Sequence, residues 1–258
     1  MQHERPQILV VAGLDPSGGA GIQADIQAIT AMGGHPLPVL SCLTVQDTAN
    51  VHDAREVDPE LIRHQLSVLR DDCPIHAVKT GAMGSSRVVD VLVEFLADLP
   101  GVPLVVDPVI KAAGGGELAD EALWTAMRDR LFPLADLITP NGPELCQLGE
   151  NPDEGRAARR LLETGCRAVL ATGGHGQGET LVNELYRPGA DSHRWHLPRV
   201  GGEYHGSGCT LAAAISAGMA RGESLETAIE GAQRFVAGSI AQALRVGRGQ
   251  PVPDRVMR

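Results

Sequence analysis

The 258-residue chain is short of positive charge and shorter still of lysine. It carries 22 Lys and Arg against 32 Asp and Glu, a formal net charge of −10, and its only lysines are Lys79 and Lys111. Nucleic acids and anionic membrane surfaces are met by clustered cations, so neither is expected as a partner, and a small metabolite fits better. Cysteine occurs five times, at 42, 73, 146, 166 and 209, an odd number with no Cys-x-x-Cys pair. That pattern argues against a disulfide framework and against a zinc cluster, and predicts reduced thiols. No apolar run is long enough to span a bilayer, and Met1 to Pro6 leads into the first apolar stretch without the layout of a secretory signal. A soluble cytoplasmic protein is expected. Repeats, low-complexity tracts and long linkers are also missing, so residues 1–258 read as one domain, and 43% apolar composition suffices for a sizeable core.

What is present is an alternation. Short apolar runs at Ile8 to Ala12, Val39 to Val45, Ala77 to Thr80, Leu104 to Val106, Leu137 to Thr139 and Ala168 to Thr172 read as strands. Between them Gly21 to Met32, Pro59 to Leu69, Ser85 to Leu99, Asp120 to Leu131 and Asp153 to Thr164 carry apolar residues at helical spacing. The pattern predicts an α/β fold with a mostly parallel sheet between layers of helices. Thr180 to Tyr186 and His193 to Leu197 flank Arg187-Pro188-Gly189-Ala190-Asp191 and read as a hairpin appended to that sheet. Helices over Cys209–Arg221 and Ser224–Leu244 close the fold, and the Arg248–Pro253 tail reads as a loosely held end. Ligands of such sheets sit beyond the carboxyl ends of the strands, where the informative loops lie.

The most informative stretch is His205-Gly206-Ser207-Gly208-Cys209-Thr210. Glycines that open a helix aim unpaired backbone N–H groups and the positive end of its dipole at an anion, which makes Gly206, Ser207 and Gly208 a phosphate cradle. The same field is expected to favour thiolate at Cys209 and so make its sulfur a usable base. The competing reading is a plain turn with Cys209 as a small buried apolar residue.

The first strand ends in Gly13-Leu14-Asp15-Pro16-Ser17-Gly18-Gly19-Ala20-Gly21, with Asp25 following. One reading is a dinucleotide fingerprint on Gly19-x-Gly21-x-x-Ala24, although its first glycine should come directly off the strand. The other is a close-packed loop that lets a small ligand lie against backbone, with Asp15 or Asp25 as hydrogen-bond partner or as a helix cap. Gln46, at the end of the second strand, offers a donor and an acceptor side by side, which suits an aminopyrimidine edge, or is a solvated turn residue. Asp107 ends a buried strand, costly for a carboxylate unless a cation meets it, and is a magnesium candidate. Asn141 and Glu144 follow the next strand, Asn141 also fitting a helix N-cap. Gly173-Gly174-His175 forms a further close-approach loop.

In this order and spacing the segments resemble the hydroxymethylpyrimidine and phosphomethylpyrimidine kinases of thiamine biosynthesis, in the ribokinase superfamily, over nearly the whole chain. The resemblance implies a three-layer α/β/α ribokinase-like fold and ATP-dependent phosphorylation of 4-amino-5-hydroxymethyl-2-methylpyrimidine and of its monophosphate. It assigns Cys209 as the base beside the Gly206–Gly208 cradle, and the pyrimidine to Gln46, Gly13 and Ala20, with Asp15, Asp25, Ala82 and Val109 around it. Magnesium falls to Asp107 and Glu144, the nucleotide to Asn141, Thr172, Gly173, Gly174, His205 and Lys111. A cytoplasmic homodimer is expected. Three departures stand out. Ala113-Gly114-Gly115 replaces Lys-Ser-Gly, with Lys111 two residues earlier; Thr172 replaces a lysine before Gly-Gly-His; and Lys79-Thr80-Gly81-Ala82-Met83 replaces Lys-x-Gly-Met-Leu. They leave a vitamin B6 kinase and a non-catalytic pyrimidine sensor as alternatives, with an NAD-type oxidoreductase as the distant one.

Overall fold

The computed structural model describes residues 5–110, 120–175 and 178–256, so Lys111 and the Ala113-Gly114-Gly115 departure lie outside the described residues. In chain order the elements are β1 (Gln7–Leu14), α1 (Gly21–Ala31), β2 (His35–Gln46), β3 (Val51–Glu56), α2 (Pro59–Asp72), β4 (Ala77–Thr80), α3 (Ser86–Leu96), β5 (Leu104–Val106) and α4 (Glu121–Ala126). There follow β6 (Leu137–Ile138), α5 (Gly142–Leu148), α6 (Glu154–Leu162), β7 (Val169–Ala171), β8 (Thr180–Tyr186), β9 (His193–Pro198), α7 (Ser207–Ala220) and α8 (Leu225–Ala241). One sheet of nine strands runs β3-β2-β1-β4-β5-β6-β7-β8-β9. Its centre, β2 through β7, is parallel, β3 lies antiparallel on one edge, and the β8–β9 hairpin extends the other edge antiparallel.

The period of two along β1 builds both cores at once. Leu9 and Val11 join the layer under α2, α3, α4, α5 and α6, whereas Ile8, Val10 and Ala12 join the layer under α1, α7 and α8. All five are fully buried, as expected of a parallel strand covered on both faces. Helix α7 is apolar nearly all round, and its alanines bring α8 so close that a Cβ at Gly218 would meet the Ala228 Cβ at 2.8 Å.

Two expectations are corrected. Strand β3 has no counterpart in the periodicity reading, because Val-His-Asp-Ala-Arg-Glu is exposed along almost its whole length; pairing with β2, and not burial, makes it a strand. The C-terminal tail is not loose. Leu244 and Val252 bridge, Pro251 accepts from the His205 N–H at 2.9 Å, and the Arg255 side chain is 1% exposed. Among the described residues no helix is long and apolar enough to cross a membrane.

Candidate active site

The strand order reverses at β1, with β2 on one side and β4 on the other, so the loops after the parallel strands converge on a single crevice. It is a cleft of about 360 Å³ lined from β1 (Gly13, Asp15, Ala20), β2 (Gln46), β4 (Ala82), β5 (Asp107, Val109), β6 (Asn141, Glu144), β7 (Thr172, Gly174) and the start of α7 (His205 through Cys209). Of the residues expected at the site and described, Asp25 and Gly173 do not line it. Asp25 is 0% exposed behind the wall, and Gly173 is packed against the Val182 backbone with its N–H on Asn183 Oδ1 at 3.0 Å.

The α-helix starts fall into two groups. Helices α2 to α6 and α8 each begin at an Asp, Ser or Asn whose side chain accepts one of the first backbone N–H groups. The two helices without such a cap, α1 at Ala20 and α7 at Gly206, both open on the cleft. The Gly21 N–H is directed at Cys209 and the Ser207 N–H lies 3.5 Å from the Tyr204 carbonyl oxygen, so in the first turn of α7 the Gly208 and Cys209 amides are the ones that remain for a ligand. Gly206 has φ 81°, and a Cβ there would lie 2.0 Å from the Gly19 carbonyl oxygen. Only glycine satisfies both the left-handed backbone and this contact between the two loops. Ser207, Gly208 and Cys209 then enter the first turn, with Gly208 exposed in the cleft.

Asp15 organises the loop before α1. Its Oδ1 accepts from Ser17 N at 2.8 Å, and its Oδ2 accepts from Ala20 N at 2.8 Å and from His205 Nε2 at 2.7 Å. Burial alone would raise its pKa, but hydrogen bonds from His205 and Ser17 outweigh it and bring the carboxyl down to about 2. A carboxyl lower in the folded than in the unfolded chain contributes stability above about pH 4, the usual carboxylate value, and loses it as pH falls toward 2. Asp15→Asn should therefore lower the melting temperature at pH 7 and lose less of it than wild type between pH 4 and 2, read by circular dichroism; parallel curves would refute this.

The same histidine fixes Gln46. His205 Nε2 lies 3.2 Å from the Gln46 carboxamide, whose other end is 3.2 Å from Thr44 Oγ1, itself donating to Leu14 O at 2.8 Å. A carboxylate only accepts, so Nε2 carries the proton; the Thr44 proton is committed to Leu14. The Gln46 nitrogen faces His205 and its oxygen faces Thr44 in the structure, but with Nε2–H given to Asp15 and the Thr44 proton to Leu14 the flipped amide, oxygen toward His205 and NH₂ toward Thr44, satisfies the same neighbours and leaves one N–H and one lone pair for a ligand edge. The structure thus places His205 with Gln46 and Asp15, not with the Thr172–Gly174 loop where the nucleotide was expected.

Behind Cys209 lies a buried charge cluster. Lys79 Nζ is 2.8 and 2.9 Å from the two Asp25 oxygens and 3.7 Å from Asp107 Oδ2. Burial would lower the Lys79 pKa, but Asp25, Cys209 and Asp107 raise it above the ordinary lysine value, so the ammonium persists. Burial raises Asp25 to about 6, against the pull of Lys79, which still leaves it ionised at neutral pH. The expectation of a thiolate at Cys209 is not met. Burial and the neighbouring Asp107 charge push the thiol up to about 12, with Lys79 and the Gly21 N–H only partly opposing them, so at rest it keeps its proton.

Asp107 and Glu144 fit a divalent cation. Asp107 Oδ2 is buried with no hydrogen-bond partner, and burial raises its pKa. Glu144 forms a capping box with Asn141, its Oε2 accepting from Asn141 N at 3.0 Å, yet burial and the Asp107 charge push it up to about 8. Two hard oxygen donors, both with their charged forms disfavoured by burial and both on the cleft, suit a magnesium held largely by water and phosphates. Among described residues no group of three or more ligating side chains is assembled.

Residues missed at the sequence level include Asn183 and Gln233, buried, joined at 2.7 Å and on the cleft wall, and Arg199, the one Arg or Lys among the described lining residues. Arg199 donates to the carbonyls of Gly173 and Gly174. The scarcity of lysine could have directed attention to arginines near the site, but nothing in the local sequence ties Arg199 to the β7 loop.

A family model described as phosphomethylpyrimidine kinase matches residues 15–253. The chain belongs to that family. It is 38% identical to the hydroxymethylpyrimidine/phosphomethylpyrimidine kinase of Streptomyces coelicolor over 95% of this chain and 92% of that one. It is 39% identical to the thiamine biosynthesis bifunctional protein of Geobacter sulfurreducens over 98% of this chain and 53% of that protein, so it spans about half the length of such bifunctional relatives. Among solved structures, a phosphomethylpyrimidine kinase from Clostridium difficile aligns with TM-score 0.79 at 31% identity, covering 92% of this chain and 100% of that one. A Bacillus subtilis pyridoxal kinase in complex with ADP aligns with TM-score 0.88 at 28% identity, covering 97% of each chain. The fold is ribokinase-like, with the hairpin appended to the sheet as expected.

Proposed function

We propose that the chain transfers the γ-phosphoryl group of ATP to the hydroxyl of 4-amino-5-hydroxymethyl-2-methylpyrimidine and then to the resulting monophosphate. The observation that carries this reading is the joint presence on one cleft of the uncapped start of α7, the Cys209 sulfur and the oriented Gln46 amide. Phosphoryl transfer asks a protein chiefly for alignment and for charge stabilisation of the transferred group's oxygens. Backbone amides of Gly208 and Cys209 supply the second. Gln46, with Gly13, Ala20, Ala82 and Val109 around it, holds the heterocycle with its hydroxymethyl group toward Cys209, and Asn141, Thr172 and Gly174 receive the nucleotide. Asp107 and Glu144 would hold magnesium, which when bound offsets phosphate charge and that of the carboxylates.

In the first transfer Cys209, having released its own proton to solvent, takes the alcohol proton as a thiolate while the new P–O bond forms and the bond to ADP breaks. In the second the acceptor is already a phosphate monoester, whose second pKa of about 6 leaves it ionised at neutral pH and in no need of a base. A thiol that is neutral at rest suits both, because it does not repel the anionic acceptor as a carboxylate would.

The superposition on pyridoxal kinases keeps a second reading, phosphorylation of a pyridoxine-type hydroxymethyl pyridine on the same site. ATP consumption with the pyrimidine, its monophosphate and pyridoxal offered separately decides: turnover of both pyrimidines supports the proposal, turnover of pyridoxal alone defeats it. The cradle has its own test. A Cβ at Gly208 meets nothing within 4 Å, so Gly208→Ala should keep activity within about threefold. Gly208→Asp places a negative charge among the amides and should cut kcat/KM about tenfold to a hundredfold for both acceptors. Equal behaviour of the two variants would remove the cradle from the mechanism.

A further inference from the structure

The C-terminal tail carries a buried cation for which the site as described has no use. Arg255 is among the largest fully buried side chains. Its Nε donates to Thr210 Oγ1 at 2.7 Å, its Nη2 to the carbonyls of Gly19 at 2.6 Å and Gly206 at 3.4 Å, and its Nη1 to Gln27 Oε1 at 3.2 Å. Every one of these acceptors is neutral. Asp25 and Asp15 act on it only at longer range. The Thr210 hydroxyl in turn donates to Gly206 O at 2.7 Å, so guanidinium and hydroxyl hold the α7 N-cap carbonyl together.

For stability alone this is a poor arrangement. A buried cation without a paired carboxylate is costly, and one beside the N-terminus of a helix opposes the helix dipole. The arrangement becomes favourable when an anion lies on the other side of the same amides. Gly19 and Gly206 belong to two loops in contact beside the cleft, and one guanidinium nitrogen spans both carbonyls.

We propose that Arg255 is a positioning residue for phosphoryl transfer: it holds the loop before α1 and the start of α7 in one arrangement from behind, and its charge complements the phosphoryl group carried by the α7 amides. This rests on the phosphoryl-transfer reading above. Arg255 touches neither substrate nor reacting atoms; it acts through Gly206.

The test uses full-length Arg255→Met, Arg255→Lys and Arg255→Ala. Loss of a group that orients a site's donors typically costs about tenfold to a hundredfold. In Arg255→Met kcat should fall by that factor for both acceptors, with the KM for the pyrimidine within about threefold of wild type. Arg255→Lys should recover little, since one ammonium cannot span two carbonyls and a hydroxyl. Millimolar guanidinium should restore part of the activity of Arg255→Ala. An independent arm measures binding of ADP with and without aluminium fluoride, in magnesium buffer, by calorimetry. The wild type should gain affinity from the fluoride, and the gain should shrink about tenfold in Arg255→Met. Unchanged kcat and an unchanged fluoride gain in folded variants would overturn the proposal, as would variants that fail to fold, which would assign the side chain to folding alone. If the wild type phosphorylates no pyrimidine, the substrate reading fails, while the fluoride arm still judges Arg255.

Discussion

Cys209→Ser is expected to lower kcat for the hydroxymethyl acceptor by about a thousandfold, the middle to upper range for loss of a general base, and for the monophosphate acceptor by less than about tenfold. The difference follows from the acceptors. An alcohol must lose a proton as its oxygen attacks, whereas a phosphate monoester brings an oxygen already charged at neutral pH. The structure sharpens the expectation by showing why sulfur is the sensitive atom. Its proton affinity is set by burial and then by Asp107, with Lys79 opposing, and a serine hydroxyl in the same field would be a far weaker acid and a poor relay. Steady-state kinetics with the two acceptors measured separately decide it. Equal losses in both would show that Cys209 shapes the cradle and moves no proton.

The second large effect concerns stability. Lys79→Met should cost about 3–5 kcal/mol, because it leaves Asp25 and Asp107 buried as neighbours without the cation between them. Urea denaturation at pH 8 measures it, and Lys79→Met with Asp25→Asn should regain much of the loss. The sign of the pH dependence is fixed. Without Lys79 the carboxylates have folded pKa values raised further above their unfolded ones, so the folded variant binds protons more readily, and its deficit should shrink as pH falls from 8 to 5. A deficit below about 1 kcal/mol, or one that grows on acidification, would show that Lys79 is dispensable to the cluster.

Much of the site was legible because each loop reports a local demand. The glycines at 206 and 208 ahead of an alanine-rich run mark an uncapped helix start, and that is where α7 begins. Asp107 after Leu104-Val105-Val106 marks a carboxylate at a buried strand end, which needs a cation. The proline- and glycine-containing break between two alternating runs marks the β8–β9 hairpin, found over the residues expected to within one. Asp25 shows the limit. Its position one turn into α1 could equally face a ligand or the core, and only the parallel pairing of β1 with β4, which carries Lys79 beneath α1, turns it into half of an ion pair.

By itself, then, the chain's order of residues determined the alternating α/β architecture, the strand ends that line the cleft, and the uncapped glycine-bearing helix start with its cysteine, since periodicity, glycine backbone freedom and helix starts act over a few residues. Tertiary structure alone decided the protonation of Cys209, the partner of Asp25, the orientation of Gln46 through His205 and Asp15, and the seat of Arg255 on Gly19. Those pairings join residues 54, 190 and 236 positions apart, and their energies depend on which strands become neighbours and how far water is excluded between them.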